Sequence, residues 1–341
     1  MTRVAIASDA WGDPRMQFAS THIYATTILE VARAAGVEAY PLGRNDWRDR
    51  RLGGWVGPLL QQLVSDYETS DVVQETGLCA SKGVGVMTVH DLFLLNAHRP
   101  EDLISRGELL LSLRRARRVL VTTEFVGTEL ARRLPWVRPK LARVAFPFKV
   151  EPDAREAGDY DGLWVGRIAP NKDPLLYLQL AKALPEYRFA FRGTSSIVWK
   201  AYHDRVRQMV EGTPLSTRVS RLGLLSMEQR NALYRSVPVI VSTSHQEGFH
   251  MPMMEGYLRG MKLVLPHVEP YVETYGPTEG RPCDALNVYW YAPGDLASLV
   301  RAFREAREAP TFAPDPDIVR RTSYAYVGEQ LRTLYEEVAR R

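Results

Sequence analysis

The chain has 341 residues, 45% of them hydrophobic and 25% charged, with a net charge of +4. That length corresponds to about two domains. The composition excludes wholesale disorder, and no run approaches the roughly 18 consecutive apolar residues of a membrane span. Cys79 and Cys283 are the two cysteines and match no zinc or redox spacing, which excludes a disulfide framework or a structural zinc as organising features.

In chain order, short apolar runs alternate with helical patterns. Arg3–Ser8 reads as a strand, His22–Ala35 as a helix stopped by Gly36, and Val37–Tyr40 as a second strand. A helix is expected over Pro58–Tyr67, strands over Asp71–Gln74 and Val84–Val89, and a helix over Glu101–Arg117. Arg118–Thr122 and Glu124–Leu134 complete this half as strand and helix. The polar stretch Val150–Gly162 interrupts the rhythm as a linker. Strands then follow at Gly162–Val165, Tyr187–Phe191, Arg218–Leu222, Val237–Val241 and Lys262–Leu265. Helices fall between them at Asp173–Leu184, Ile197–Glu211, Met227–Ser236 and Pro252–Arg259, and Thr322–Arg341 is a final amphipathic helix. This alternation predicts α/β architecture: two doubly wound parallel sheets in tandem. In such sheets ligands bind beyond the carboxyl ends of the strands, so the loops after strands are where chemistry is sought.

Two loops stand out. VGRIAPNK leaves a strand through Gly166 and carries Arg167 and Lys172 ahead of a helix, a pairing that suits a phosphate or diphosphate. HQEGFHMPMMEGYLRG follows VPVIVST. Glu247 precedes Gly248, Pro252 is expected to open the helix at its first position, and Glu255 is placed in its first turn. Gly248, Phe249, His250 and Met251 then expose backbone N–H groups at a helix start, an anion site. Each loop also has a plain reading, as solvated cations or as a glutamate complementing the helix dipole.

Taken together, these segments resemble the nucleotide-sugar glycosyltransferases of the GT-B fold, in particular the retaining family 4. The carrying residues are Gly-Arg and Lys in VGRIAPNK, then Glu-Gly-Phe, Pro and a second Glu in EGFHMPMMEGYLRG. The resemblance is strong over residues 160–300 and architectural over residues 1–150. It implies two Rossmann-like domains facing across a cleft: an acceptor domain, 1–150 plus the helix 322–341 packing back on it, and a donor domain, 158–321. It implies a metal-independent, retaining transfer of a hexosyl group from a nucleoside diphosphate sugar to an acceptor hydroxyl, with no cofactor. Arg167, Lys172, Gly166, Gly248, Phe249 and His250 would bind the donor, and Glu255 its ribose. Glu247 would hold the donor sugar, as would His90 and Asp91 in VMTVHDLF from the other domain. The family's Gly-Gly loop after the first strand is reduced here to Gly12 beside Trp11, which leaves the phosphate or acceptor loop atypical. The acceptor class stays open among glycan, lipid, small molecule and nucleic acid.

Arg114 to Arg143 holds nine cationic side chains against Glu124 and Glu129. A solvated helix face and an anionic surface, lipid or nucleic acid, are the competing readings. The alternatives to the transferase are therefore an α/β nucleic-acid-binding or nucleic-acid-glycosylating protein using that stretch and an inactive sugar-nucleotide binder. The N-terminus lacks the regions of a signal peptide, so a cytoplasmic setting is expected, at the inner membrane face if the basic stretch meets lipid. Asp159-Tyr160-Asp161 and Asp315-Pro316-Asp317 match the Asp-x-Asp pattern of metal-dependent transferases but sit in turn-rich context and read as turns.

Overall fold

The computed structural model describes residues 2–8, 20–43, 70–76, 84–92, 95, 100–149, 155–194, 199–223, 225–279, 281 and 283–340. The expected helix at Pro58–Tyr67 and the loop bearing Trp11 and Gly12 lie outside them. The chain divides into two compact units, Met1–Lys149 with Arg320–Arg341, and Val150–Val319.

The first unit is built on a six-stranded, wholly parallel sheet. Its strands are β1 (Arg3–Ser8), β2 (Glu38–Gly43), β3 (Val72–Glu75), β4 (Val84–Val89), β5 (Arg118–Val121) and β6 (Leu141–Arg143), in the order β2-β1-β3-β4-β5-β6. Both faces of a parallel sheet are covered by crossover helices, so its strands read as unbroken apolar runs; in β1 every residue from Val4 to Ser8 is buried. Helices α1 (Ser20–Ala34), α2 (Pro100–Arg115) and α3 (Glu124–Arg133) belong to this unit. Gly36 follows α1 at φ +80°, a left-handed exit that a side chain would strain. Thr123 caps α3, its hydroxyl accepting from Val126 N at 3.3 Å.

The C-terminal helix, Tyr324–Ala339, packs on α1 of this unit, as expected. Gly328 allows the close approach: a Cβ there would lie 3.1 Å from Ala35 Cβ. Arg117 Nη1 donates to Val338 O at 2.7 Å, Arg118 pairs with Glu337, and the buried Tyr335 hydroxyl reaches Gln74 Oε1. Gln74 in turn donates to Thr88 Oγ1 at 3.0 Å. The helix is thus joined to β3 and β4 by a polar chain inside the core.

The second unit repeats the scheme. Strands β7 (Gly162–Arg167), β8 (Phe189–Thr194), β9 (Val219–Leu222), β10 (Val239–Val241), β11 (Lys262–Pro266) and β12 (Val288–Tyr291) form a parallel sheet in the order β12-β11-β10-β7-β8-β9. The helices are α4 (Pro174–Ala183), α5 (Lys200–Val210), α6 (Met227–Ser236), α7 (Met251–Leu258), α8 (Tyr271–Tyr275) and α9 (Leu296–Glu308). Trp164, Tyr177, Phe189, Phe191 and Phe303 fill the core, with Trp164 and Phe191 stacked at 4.7 Å. Ser226 and Gln229 close α6 with a reciprocal capping box, which SMEQ predicts.

Strand β10 begins at Val239 rather than Val237 because Pro238 has no N–H for the ladder. Strand β9 begins at Val219 rather than Arg218, whose guanidinium donates to Ala181 O and Leu184 O at the end of α4. Helix α9 and strands β6 and β12 were not expected. Helix α9 was legible: Asp295 caps it, and Leu299, Ala302, Phe303 and Ala306 recur on its buried face.

In each sheet the strand order reverses once, between β1 and β3 in the first unit and between β7 and β10 in the second. At such a switch point the loops leaving the two central strands diverge to opposite faces and open a crevice. The loops after β7 and β10 are those that carry Arg167, Lys172 and Glu247.

Candidate active site

In the second unit, β7 and β10 pair in parallel through Val239–Gly162 and Ile240–Leu163, so their carboxyl ends bring two distant loops together. After β7, Ala169–Asp173 makes one 3-10 turn, and Asp173 at φ 41° caps α4 by accepting from Leu176 N at 3.3 Å. Lys172 O then accepts from Thr243 Oγ1 at 2.8 Å, and Thr243 Oγ1 accepts from Trp164 Nε1 at 3.0 Å. Asn171 O accepts from His245 N at 2.9 Å. These bonds fix the first loop to the residues following β10. Gly166 sits against the same tryptophan: a Cβ there would stand 3.0 Å from its ring, closer than ordinary contact.

Lys172 Nζ and Glu247 Oε2 form an ion pair in which the side chains are 13% and 5% exposed. Burial works to raise the Glu247 carboxyl pKa, but His250 where its ring is protonated, the Lys172 ammonium and side-chain hydrogen bonds from Lys172 and Ser244 outweigh it and hold the group below the usual carboxylate range. Burial pushes His250 down to about 4, against the attraction of Glu247. At neutral pH the imidazole is therefore uncharged, and Lys172 is the cation beside Glu247.

The hydrogen bonds around His250 assign its tautomer. One ring N–H is taken by the Val165 carbonyl, and Nδ1 lies 2.6 Å from the Tyr271 hydroxyl. Tyr271 also lies 2.7 Å from Ser242 Oγ, which accepts from Ser244 N at 3.3 Å. The chain runs consistently in one direction: Ser244 N–H to Ser242, Ser242 to Tyr271, Tyr271 to His250 Nδ1. Nδ1 is then an acceptor, so it offers no proton to Glu247 Oε1 at 3.2 Å. Oε1 is accordingly buried without a donor. A buried acceptor left in this state costs about 1–3 kcal/mol and is ready for a hydroxyl brought by a ligand.

Helix α7 starts at Met251 with His250 as its cap residue and Pro252 second, which corrects the expectation that Pro252 opens it. Glu255 consequently lies in the second turn, not the first, and its carboxylate meets Arg230 Nη1 of α6 at 3.4 Å. It belongs to a separate cluster from Lys172 and Glu247, so dipole complementation does not explain it. Gly248 is buried and Phe249 half-buried between the two carboxylates. Arg167, at the end of β7, is exposed and makes no ion pair or hydrogen bond with the described residues. Sequence reasoning missed Ser242, Tyr271 and Arg230. The Ser-Thr-Ser run closing β10 was the available signal for the first; nothing local marks Tyr271 or Arg230.

In the first unit, His90 and Asp91 follow β4 at the carboxyl edge of the sheet. His90 Nε2 lies 3.0 Å from Thr76 O, the residue after β3, and its ring stands edge-on to Tyr24 at 4.3 Å. Burial lowers its pKa, so the ring is neutral. Because Nε2 must donate to the carbonyl, Nδ1 is left as an acceptor. Asp91 is exposed.

The rejected Asp-x-Asp pairs are structural. Asp161 accepts from Arg188 N and pairs with Arg307 at 2.7 Å, and Asp315 caps the short helix Pro316–Arg321 through Asp317 N. Among the described residues no group of three or more His, Cys, Asp or Glu side chains could hold a metal ion, and no helix is long and apolar enough to cross a membrane.

The cations of the basic stretch have several different partners. Arg117 and Arg118 are engaged by the C-terminal helix. Lys140 Nζ donates to Leu113 O and Arg114 O at the end of α2, and Arg114 and Lys140 both lie over the Trp136 ring. Arg132, Arg138 and Arg143 line a cavity, with Arg138 in the same 3-10 turn as Trp136 and Lys140.

No protein-family model and no curated protein sequence matches the chain. Solved structures do match over nearly its full length. Sucrose-phosphate synthase from Thermosynechococcus elongatus is 17% identical with a TM-score of 0.68, over 99% of this chain and 96% of that one. HepE from Anabaena, in complex with UDP-glucose, is 13% identical at 0.68, over 100% and 99%. The catalytic domain of starch synthase IV from Arabidopsis thaliana, bound to ADP and acarbose, is 10% identical at 0.67, over 100% of both. At these identities the likeness is one of fold, and the two Rossmann-like domains of this chain have the GT-B fold of those glycosyltransferases.

Proposed function

We propose that the chain is a glycosyltransferase that moves a sugar from a nucleoside diphosphate sugar to an acceptor hydroxyl with retention of anomeric configuration and without a metal. The observation that carries the reading is the constellation at the β7/β10 switch point: Lys172 paired with a buried Glu247 whose second oxygen lacks a donor. That UDP-glucose and ADP occupy two of the structures with this fold supports a nucleotide-sugar donor.

The roles rest on the family resemblance, and the pairing of Lys172 with Glu247 supports them. Arg167, exposed and without an ion-pair partner among the described residues, and Lys172 stabilise the charge that grows on the departing diphosphate. Preorganised donors of this kind are worth about 3–4 kcal/mol each. When a diphosphate draws Lys172 toward itself, Glu247 is left to accept from sugar hydroxyls through Oε1. His250, held by Tyr271 and Val165, keeps the carboxylate in place. Glu255, steadied by Arg230, accepts from the ribose. The acceptor attacks the face from which the diphosphate leaves, and the leaving phosphate takes its proton.

The test is calorimetric titration with UDP, ADP and GDP, followed by turnover of the matching glucose donors with EDTA present. A nucleotide at 100 times its dissociation constant should stabilise the fold by about 2.7 kcal/mol. Absence of binding by all three, or turnover that stops with EDTA and returns with manganese, would overturn the reading or its metal-free form respectively.

A further inference from the structure

We propose that the first unit carries a second binding site, for an organic phosphate on an apolar stem, in the cavity between α3 and the edge strand β6. The cavity measures about 690 Å³, within the range of small-molecule sites, roughly 300–1,000 Å³. Its lining separates by chemistry. Ala131, Pro135 and Leu141 supply an apolar wall, while Arg132, Arg138 and Arg143 supply guanidinium groups and Thr128 a hydroxyl.

The three arginines reach this place from three elements: the last turn of α3, the 3-10 turn Pro135–Lys140, and β6. Their convergence is a tertiary result, not a consequence of one charged helix face. Arg132 is bound to Glu129 through both carboxylate oxygens, at 3.1 and 2.8 Å, and Arg143 has Glu124 at 3.7 Å. Arg138 is exposed and makes no ion pair or hydrogen bond with the described residues. The cavity therefore holds more cationic charge than its own acids neutralise. Planar guanidinium groups bind phosphate oxygens in pairs, and an apolar stem would cover the aliphatic wall. Trp136, 37% exposed and next to Pro135, stands at the same turn. The shared chemistry has two sources, a phospholipid headgroup or a soluble phosphorylated molecule.

The probe is hexyl phosphate, titrated into the full chain by calorimetry. Binding should fall about tenfold or more in Arg138→Ala, as for loss of one charge-assisted contact. It should fall likewise in Ala131→Phe, which fills the apolar half, and stay unchanged in Arg167→Ala. Inorganic phosphate should bind at least about tenfold more weakly than hexyl phosphate, since it buries no methylene groups. If Ala131→Phe fails to fold, Arg138→Ala decides, because that side chain makes no ion pair or hydrogen bond with the described residues. No binding of hexyl phosphate, or equal binding to wild type and Arg138→Ala, overturns the site. Vesicles of phosphatidylcholine with and without phosphatidic acid then identify the source. Retention dependent on both phosphatidic acid and Arg138 assigns a lipid, and absence of retention beside intact hexyl phosphate binding assigns a soluble phosphate. Retention without hexyl phosphate binding overturns the cavity as the site. The nucleotide titrations are unaffected by any of these outcomes, so this inference and the proposed function fail separately.

Discussion

Replacing Lys172 by methionine removes the ammonium but keeps most of the volume of its stem. Lys172 is 13% and Glu247 5% exposed, so this is a buried pair, and deleting one partner leaves a carboxylate uncompensated. Such single deletions typically cost about 3–5 kcal/mol. The upper part of that range is expected, because Glu247 Oε1 already has no donor and neutral His250 offers none. The loss should depend on pH. In wild type the carboxyl pKa lies below its ordinary value, so its contribution is present above that value and lost as pH falls. In Lys172→Met burial is opposed only by His250 and the Ser244 side chain, so the folded pKa rises and the folded chain binds the proton more tightly than the unfolded chain does. The penalty should therefore grow as pH rises from about 4.3 toward the raised pKa and then level off. Urea unfolding of wild type, Lys172→Met, Glu247→Gln and the double variant from pH 5 to pH 8 measures this. The double variant should recover most of the stability lost in Lys172→Met. A cost below about 1 kcal/mol at pH 8, or a double variant no more stable than Lys172→Met, would refute the buried pair as the organising contact of the site.

Three further outcomes are expected. Arg167→Ala should leave the unfolding free energy within about 0.5 kcal/mol of wild type while weakening nucleoside diphosphate binding about tenfold; a loss of stability without a loss of affinity would make the arginine structural. His250, at about 4 in the folded chain, is protonated first when unfolded, so its stabilisation is full above about pH 6.5 and falls toward pH 4 by up to roughly 3 kcal/mol. His250→Gln should flatten that part of the stability profile, and identical profiles would disprove the neutral tautomer. Tyr335→Phe strips Gln74 Oε1 of its donor inside the first unit and should lower stability by about 1–3 kcal/mol, read by thermal unfolding; an unchanged melting temperature would show that the polar chain from the C-terminal helix to β3 and β4 is not stabilising.

The strands, the helices between them and the two loops with Arg167, Lys172, Glu247 and Glu255 were legible in the sequence, because periodicity, capping residues and strand-exit glycines act over a few neighbouring residues. The alternation of strands and helices announced parallel sheets; the capping box of α6 was there to be read in SMEQ. Start positions near prolines were misread: whether Pro252 occupies the first or second place of α7 depends on His250, whose ring is claimed by Tyr271 and Val165 rather than by its own turn. Tertiary structure alone decided the strand order, and with it the adjacency of β7 and β10. Lys172 and Glu247 are 75 positions apart, and no local preference of either loop encodes the other. The same holds for Glu255 with Arg230, and for the basic stretch, whose cations were divided among the C-terminal helix, the end of α2 and the α3–β6 cavity. Charge along a chain adds up by position, but the field at a site is set by which elements the crossovers pack side by side.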